Sequence, residues 1–292
     1  MGGQLRTVEQ TIAGLTARSY GVASRAELVE AGISAPQIDR RVLKGALVRV
    51  YRAVYRAGPP STDATYMAAV KACGEGAALS GLAAAYRMGL VRRRRAPEPE
   101  VSALTDSRVG GLVTHRCRRV ERWTFDSIPT TTVARTLVDI AARLDDEELA
   151  LAFHEARGRY RTTPGQVEQV LDHRPGSPGA NKLRRAMRGE THVSLSALER
   201  KFLARLKEAN LLFPDETNQY AGSKKVDCRW LKQKLTVELD SYTFHSSRHS
   251  WEQDRKRERE AYARGDHFRR YTWGDVFEHP QQMLEELTEL LP

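Results

Sequence analysis

The chain has 292 residues, 40% hydrophobic and 29% charged, and its 47 Lys and Arg against 37 Asp and Glu give a net charge of +10. That length suits two or three compact domains, and the basic excess favours a polyanionic partner, although it also fits a solubilising surface. Three widely spaced cysteines without a CxxC pair exclude a zinc ribbon and a disulfide framework, and no apolar run is long enough for a signal core or membrane span. The expectation is a cytoplasmic α/β protein, α+β overall, with no membrane partner.

Residues 1–58 read as a small helical domain ending in a hairpin. Leu5 to Ala17 suits a first helix, and Ser24 caps a short second one that stops at Gly32. Ser34 caps a third, Pro36 to Lys44, with Pro in its first turn and Gly45 after its end. Strands at Leu47–Val50 and Ala53–Arg56 complete a winged helix-turn-helix pattern. Nine basic residues stand against four acidic ones in this segment. A helix carrying Gln37, Arg40, Arg41 and Lys44 can enter a major groove, with Gln37 and Arg40 near base edges and Arg41 near phosphate. A helical hairpin with a solvated basic face is the plainer alternative.

This segment resembles the N-terminal winged-helix domain of AbiEi-type antitoxins. The resemblance rests on Ser24-Arg25-Ala26-Glu27-Leu28, Gly32-Ile33-Ser34 and the run from Leu47 to Tyr55. It implies DNA binding, autorepression and a toxin partner, and it covers about a fifth of the chain.

Residues 59–190 read as a mixed connector. Helices are expected at Asp63–Ala72 and Leu82–Tyr86, and strands near Glu100–Leu104, Leu112–Cys117 and Asp126–Ile128. A Thr-capped helix begins after Pro129, in a segment that resembles the linker region of AbiEi-like actinobacterial proteins. Asp145-Asp146-Glu147-Glu148 opens another helix, its acids at the positive end. Helices at Thr163–Leu171 and Ala180–Met187 follow.

Residues 191–292 carry the sharpest signal. Leu198, Phe202, Leu203 and Leu206 make an apolar stripe on a helix over Ala197–Ala209, where Ser196 and Glu199 fit a capping box. The order continues as strands Glu216–Tyr220, Val226–Trp230 and Leu235–Asp240, helix Ser250–Arg264, strand His267–Thr272 and helix Pro280–Leu291. With Lys232-Gln233 as a two-residue turn, Asp227 faces Glu238, and Asp240 points to the same side. Like charges so opposed destabilise a strand pair, and a divalent cation with oxygen ligands would compensate.

This region resembles the very-short-patch-repair branch of the PD-(D/E)xK nucleases. The matching residues are Val226-Asp227-Cys228, Val237-Glu238-Leu239-Asp240-Ser241, Phe244-His245, Asp254 to Glu258, and Arg270-Tyr271-Thr272-Trp273. The resemblance implies a restriction-endonuclease-like mixed sheet flanked by helices, and phosphodiester hydrolysis with Mg²⁺ or Mn²⁺. Asp227, Glu238 and Asp240 would hold the ion, with Asp240 or Glu199 able to complete the set or take a proton from water. His245 would act as acid, base or phosphate donor, and Arg257 and Arg270 would hold phosphate oxygens. The family's usual lysine after the glutamate is Asp240 here, and its usual glycine is Ser241. The positive charge would come from Lys256 or Arg257.

Two functions follow. One is a metal-dependent endonuclease acting on DNA, brought to double-stranded substrate by the winged helix. The alternative is a non-catalytic DNA-binding regulator of AbiEi-antitoxin type that keeps a degenerate nuclease fold. Palindromic targets would require a homodimer. An RNA substrate and a purely structural salt-bridge role for Asp227 and Glu238 stay open.

Overall fold

The computed structural model describes residues 7–105, 109–191, 195–221, 224–240 and 248–291. It is a mixed α/β architecture of helices and three separate sheets, grouped into two compact units. One unit comprises residues 1–143 and 165–180, the other 144–164 and 181–292.

The first unit opens with the winged helix. Helix α1 spans Val8–Thr16 and is capped by Thr7, whose hydroxyl accepts the Gln10 N–H while Gln10 reaches back to Thr7. Strand β1 (Val22–Ser24) leads into α2 (Arg25–Glu30), where Ser24 and Glu27 close a reciprocal capping box. Helix α3 (Ala35–Leu43) follows Ser34, with Pro36 in its first turn. Strands β2 (Val48–Tyr51) and β3 (Val54–Arg56) form the wing, and β3 pairs antiparallel with both β2 and β1. Ile12, Ala23, Leu28, Ile33, Ile38, Leu47 and Tyr55 make the core that fixes α3.

The same unit continues through α4 (Thr62–Ala72), β4 (Ala78–Leu79), α5 (Gly81–Arg87), β5 (Glu100–Ala103) and β6 (Val113–Arg116). Then come β7 (Arg122–Phe125), β8 (Ile128–Thr131) and α6 (Val133–Ile140). These strands form a five-stranded sheet in the order β6-β5-β4-β8-β7. The strand expected at Asp126–Ile128 is instead a hairpin: Asp126 and Ser127 form its turn, with φ of 40° and 67°. Arg135 of α6 is 1% exposed and donates to Asp139 at 2.9 Å, Glu121 at 2.6 Å and Cys117 Sγ at 3.2 Å.

The second unit contains α7 (Asp146–Tyr160), capped by Asp145 as its acidic opening predicts. Helix α8 (Pro164–Asp172) belongs to the first unit except at its first residue, and α9 (Ala180–Met187), from its second residue on, introduces the rest of the second. Next come α10 (Leu195–Glu208), β9 (Glu216–Ala221), β10 (Lys224–Trp230), β11 (Leu235–Asp240), α11 (Arg248–Ala263) and β12 (His267–Thr272). A π-helical turn, Gly274–Glu278, precedes α12 (Pro280–Leu290). The order therefore contains the expected α-β-β-β-α-β-α sequence. Its sheet runs β12-β11-β10-β9, antiparallel except for the β11–β12 pair, whose parallel connection passes through α11. One sheet face presents Cys228, Trp230, Leu235 and Val237, all nearly fully buried. Phe202 of α10 stacks on Tyr271 of β12, with ring centroids 6.2 Å apart.

Candidate nucleic-acid interface

Burial divides α3 into two sides. Ile38 is buried and Val42 packs on the core, which turns Pro36, Asp39, Arg40, Leu43 and Lys44 outward. Exposed Arg49 and Arg52 follow on the wing. Arg40 and Lys44 are both exposed on this side. Arg41 is not outward in the same way: it donates to Glu9 at 2.6 Å and to the Gln37 carbonyl at 3.0 Å, and its side chain is 15% exposed. Gln37 is half-buried, and its Oε1 accepts from the Ser34 backbone and hydroxyl. Asp39 is gripped by Arg25 at 3.0 Å, which with the nearby Arg49 holds its carboxyl below the ordinary range. Arg25, which the sequence offers only as part of the α2 motif, reaches this face through Asp39. Its cue was the Ser24-Arg25 start of α2, fourteen residues from Asp39.

In the second unit, the pairing of Cys228 with Val237 and of Trp230 with Leu235 extends one step to set Asp227 opposite Glu238. The turn that does this is Leu231 to Lys234, as counted from the sequence. On the far side Asn218 falls between Thr217 and Gln219, the partners of Cys228 and Val226, and so lies beside Asp227. Arg270 of β12 is in register with Glu238. Asn218, Asp227, Glu238 and Arg270 therefore form a row across all four strands. Asp227 and Glu238 are 9% and 4% exposed, and the Leu239 N–H donates to Asp227 at 2.7 Å.

Glu199 does not play the capping role its sequence context suggests. Helix α10 starts at Leu195, which puts Ser196 inside the helix rather than at its cap. Glu199 instead accepts from Asn218 Nδ2 at 2.9 Å, which ties it to the same row. Burial, and then the negative charges of Asp227, Glu199 and Glu238, push the Cys228 thiol far above its usual value. Asp240 is exposed at the end of β11 beside Thr272. The register extended two more pairs, past Val226 and Leu239, sets exposed Lys225 of β10 opposite Asp240, a cation that strand alternation could have revealed. Arg257 lies in α11 with its side chain outside the described residues, and Ser241, Phe244 and His245 also lie outside them. Among the described residues, no three His, Cys, Asp or Glu side chains are grouped to hold a metal ion.

The two constellations define a winged helix with a basic outward face and a four-stranded α/β unit with a buried carboxylate row. Residues 10–58 match the family described as transcriptional regulator, AbiEi antitoxin. A crystal structure of the Rv2827c protein from Mycobacterium tuberculosis is also similar, at 17% identity and a TM-score of 0.40, over 62% of this chain and 76% of that one. No curated protein matches the chain. Among the described residues, no helix is long and apolar enough to cross a membrane.

Proposed function

We propose that this chain is a DNA-binding transcriptional regulator of AbiEi-antitoxin type, which lays α3 in the major groove and its wing along the adjoining backbone. One observation carries the reading: the matched residues, 10–58, fold around an α3 whose exposed side presents Arg40 and Lys44. Such cations displace counterions from phosphates, so binding would weaken steeply with salt. A toxin encoded beside it is the partner this reading implies. The experiment is fluorescence anisotropy on duplexes from the chain's own upstream region. Specific binding lost on Arg40→Ala/Lys44→Ala, with an unchanged circular dichroism spectrum, supports the reading. Equal affinity for upstream and arbitrary duplexes would sink it.

A second reading, a phosphodiesterase of the PD-(D/E)xK kind, is favoured by the pairing of Asp227 with Glu238 inside an α-β-β-β-α-β-α unit. The described carboxylates do not by themselves make a three-ligand site for Mg²⁺ or Mn²⁺. Plasmid incubated with either ion tests it. Cleavage by wild type that disappears in Asp227→Ala/Glu238→Ala favours this reading, and equal cleavage by both excludes it.

A further inference from the structure

Leu43 is the outlier on the outward face of α3. It is 88% exposed, whereas Ile38 on the opposite side is fully buried. It lies seven residues after Pro36, four after Asp39 and three after Arg40, so it shares their face. Exposed Arg40 and Lys44 flank it on the helix, exposed Arg49 and Arg52 follow on the wing, and Asp39 is already paired with Arg25. A single surface leucine ordinarily calls for no explanation. This one sits within a cationic face, where a polyanion would cover it.

We infer that Leu43 is a specificity-determining residue that contacts the C5-methyl group of a thymine in the major groove. The inference rests on the proposed role of α3 as a DNA-reading helix. Base edges in the major groove present hydrogen-bond donors and acceptors, and the thymine methyl is their one apolar group. A leucine pressed against any other edge would strip water from a polar atom and return no hydrogen bond. Against the methyl both groups lose water favourably. The occupant is therefore double-stranded DNA with a T·A pair at the position under Leu43.

The test uses the full chain and a duplex selected from a random library. Each thymine of the selected site is replaced in turn by deoxyuridine, which removes only the methyl. At one position the wild type should lose about fourfold in affinity, the worth of one buried methyl group. Leu43→Ala should bind the thymine and uracil forms equally, with the salt dependence of the wild type. Its exposure means the substitution leaves the core intact. A wild type indifferent to every replacement, or a Leu43→Ala variant that keeps the thymine preference, overturns the assignment while leaving DNA binding standing. A Leu43→Ala variant altered in oligomeric state instead also overturns it, by showing a protein contact. If the wild type selects no duplex, the reading of α3 fails first and Leu43 falls with it.

Discussion

Asp227 and Glu238 face each other across β10 and β11, both almost entirely removed from solvent, with Glu199 joined to the same row through Asn218. Two carboxylates thus stand in one row, which Arg270 of β12 joins, and a third lies at its Asn218 end. Opposed like charges destabilise a strand pair, and burial strengthens the effect. Asp227→Asn removes one charge and keeps an oxygen able to accept the Leu239 N–H. It should stabilise the ion-free protein by about 1 kcal/mol, raising the melting temperature by roughly 2–4 °C. Differential scanning calorimetry in EDTA measures this, and an unchanged or lowered midpoint would show that the row is electrostatically satisfied. Repeating the melts in Mg²⁺ then bears on the second reading, which requires a rise in wild type that Asp227→Asn lacks.

Gly158 marks where α7 touches the π-helical turn. A Cβ built there would run into the Phe277 carbonyl oxygen, far inside contact distance, with the Phe277 carbonyl carbon at 3.3 Å. Both partners are main chain and cannot swing aside as a flexible side chain would. The same turn is held by stacked Trp273 and Phe277, ring centroids 4.3 Å apart, and by His154 stacked on Trp273 at 5.4 Å. Gly158→Ala should therefore cost about 2 kcal/mol or more in denaturant unfolding, the range of overpacked cores, although alanine is the better helix former. A stabilised variant would mean that α7 and the turn can separate at no cost.

Glu278 closes this turn by accepting from His154 Nδ1 and Arg157 Nη1, each at 2.9 Å. Burial raises its carboxyl, but His154 and Arg157 outweigh that and hold it below the ordinary glutamate value of 4.5. A depressed carboxyl binds its proton less readily folded than unfolded. Its contribution is whole above the unfolded value and is lost as pH falls through the folded one. Urea unfolding followed from pH 6 downward should show stability declining below about pH 4.5, and Glu278→Gln should flatten part of that decline. Parallel wild-type and variant curves would place the acid sensitivity elsewhere.

The hairpin register was legible because side-chain alternation and a counted turn fix it: Leu231 to Lys234 leaves one antiparallel pairing that opposes Asp227 and Glu238. The helix starts at Ser24 and Asp145 were equally readable, since a capping hydroxyl or carboxylate is a local signal. Longer-range determinants were not. Glu199 had a local partner on paper in Ser196, but α10 begins before it, and the true partner, Asn218, lies nineteen residues on. The Asp126-Ser127 turn needs positive φ at both positions, which Asn-Gly would have announced and Asp-Ser does not. The π-helical turn has no pattern of its own and depends on the space that Gly158 leaves in another helix. The roles given to His245 and to the Arg257 side chain fall outside the described residues.

Two adjacent arginines on α3 should behave differently. Arg40 is exposed, while Arg41 is turned inward onto Glu9 and lowers its carboxyl, first through their hydrogen bond. A side chain already committed to a carboxylate has little charge left to release counterions, whereas a free one releases about one per phosphate contact. Arg40→Ala should weaken duplex binding and reduce the slope of log affinity against log salt by about 1. Arg41→Ala should leave that slope nearly unchanged and act on the domain instead, by unlinking α1 from α3 and lowering its thermal midpoint. Anisotropy titrations at four or five salt concentrations, with melts of the same samples, separate the two. Equal losses of slope would mean that Arg41 leaves Glu9 for phosphate on binding. In that case Glu9→Gln, which frees Arg41 in advance, should tighten binding.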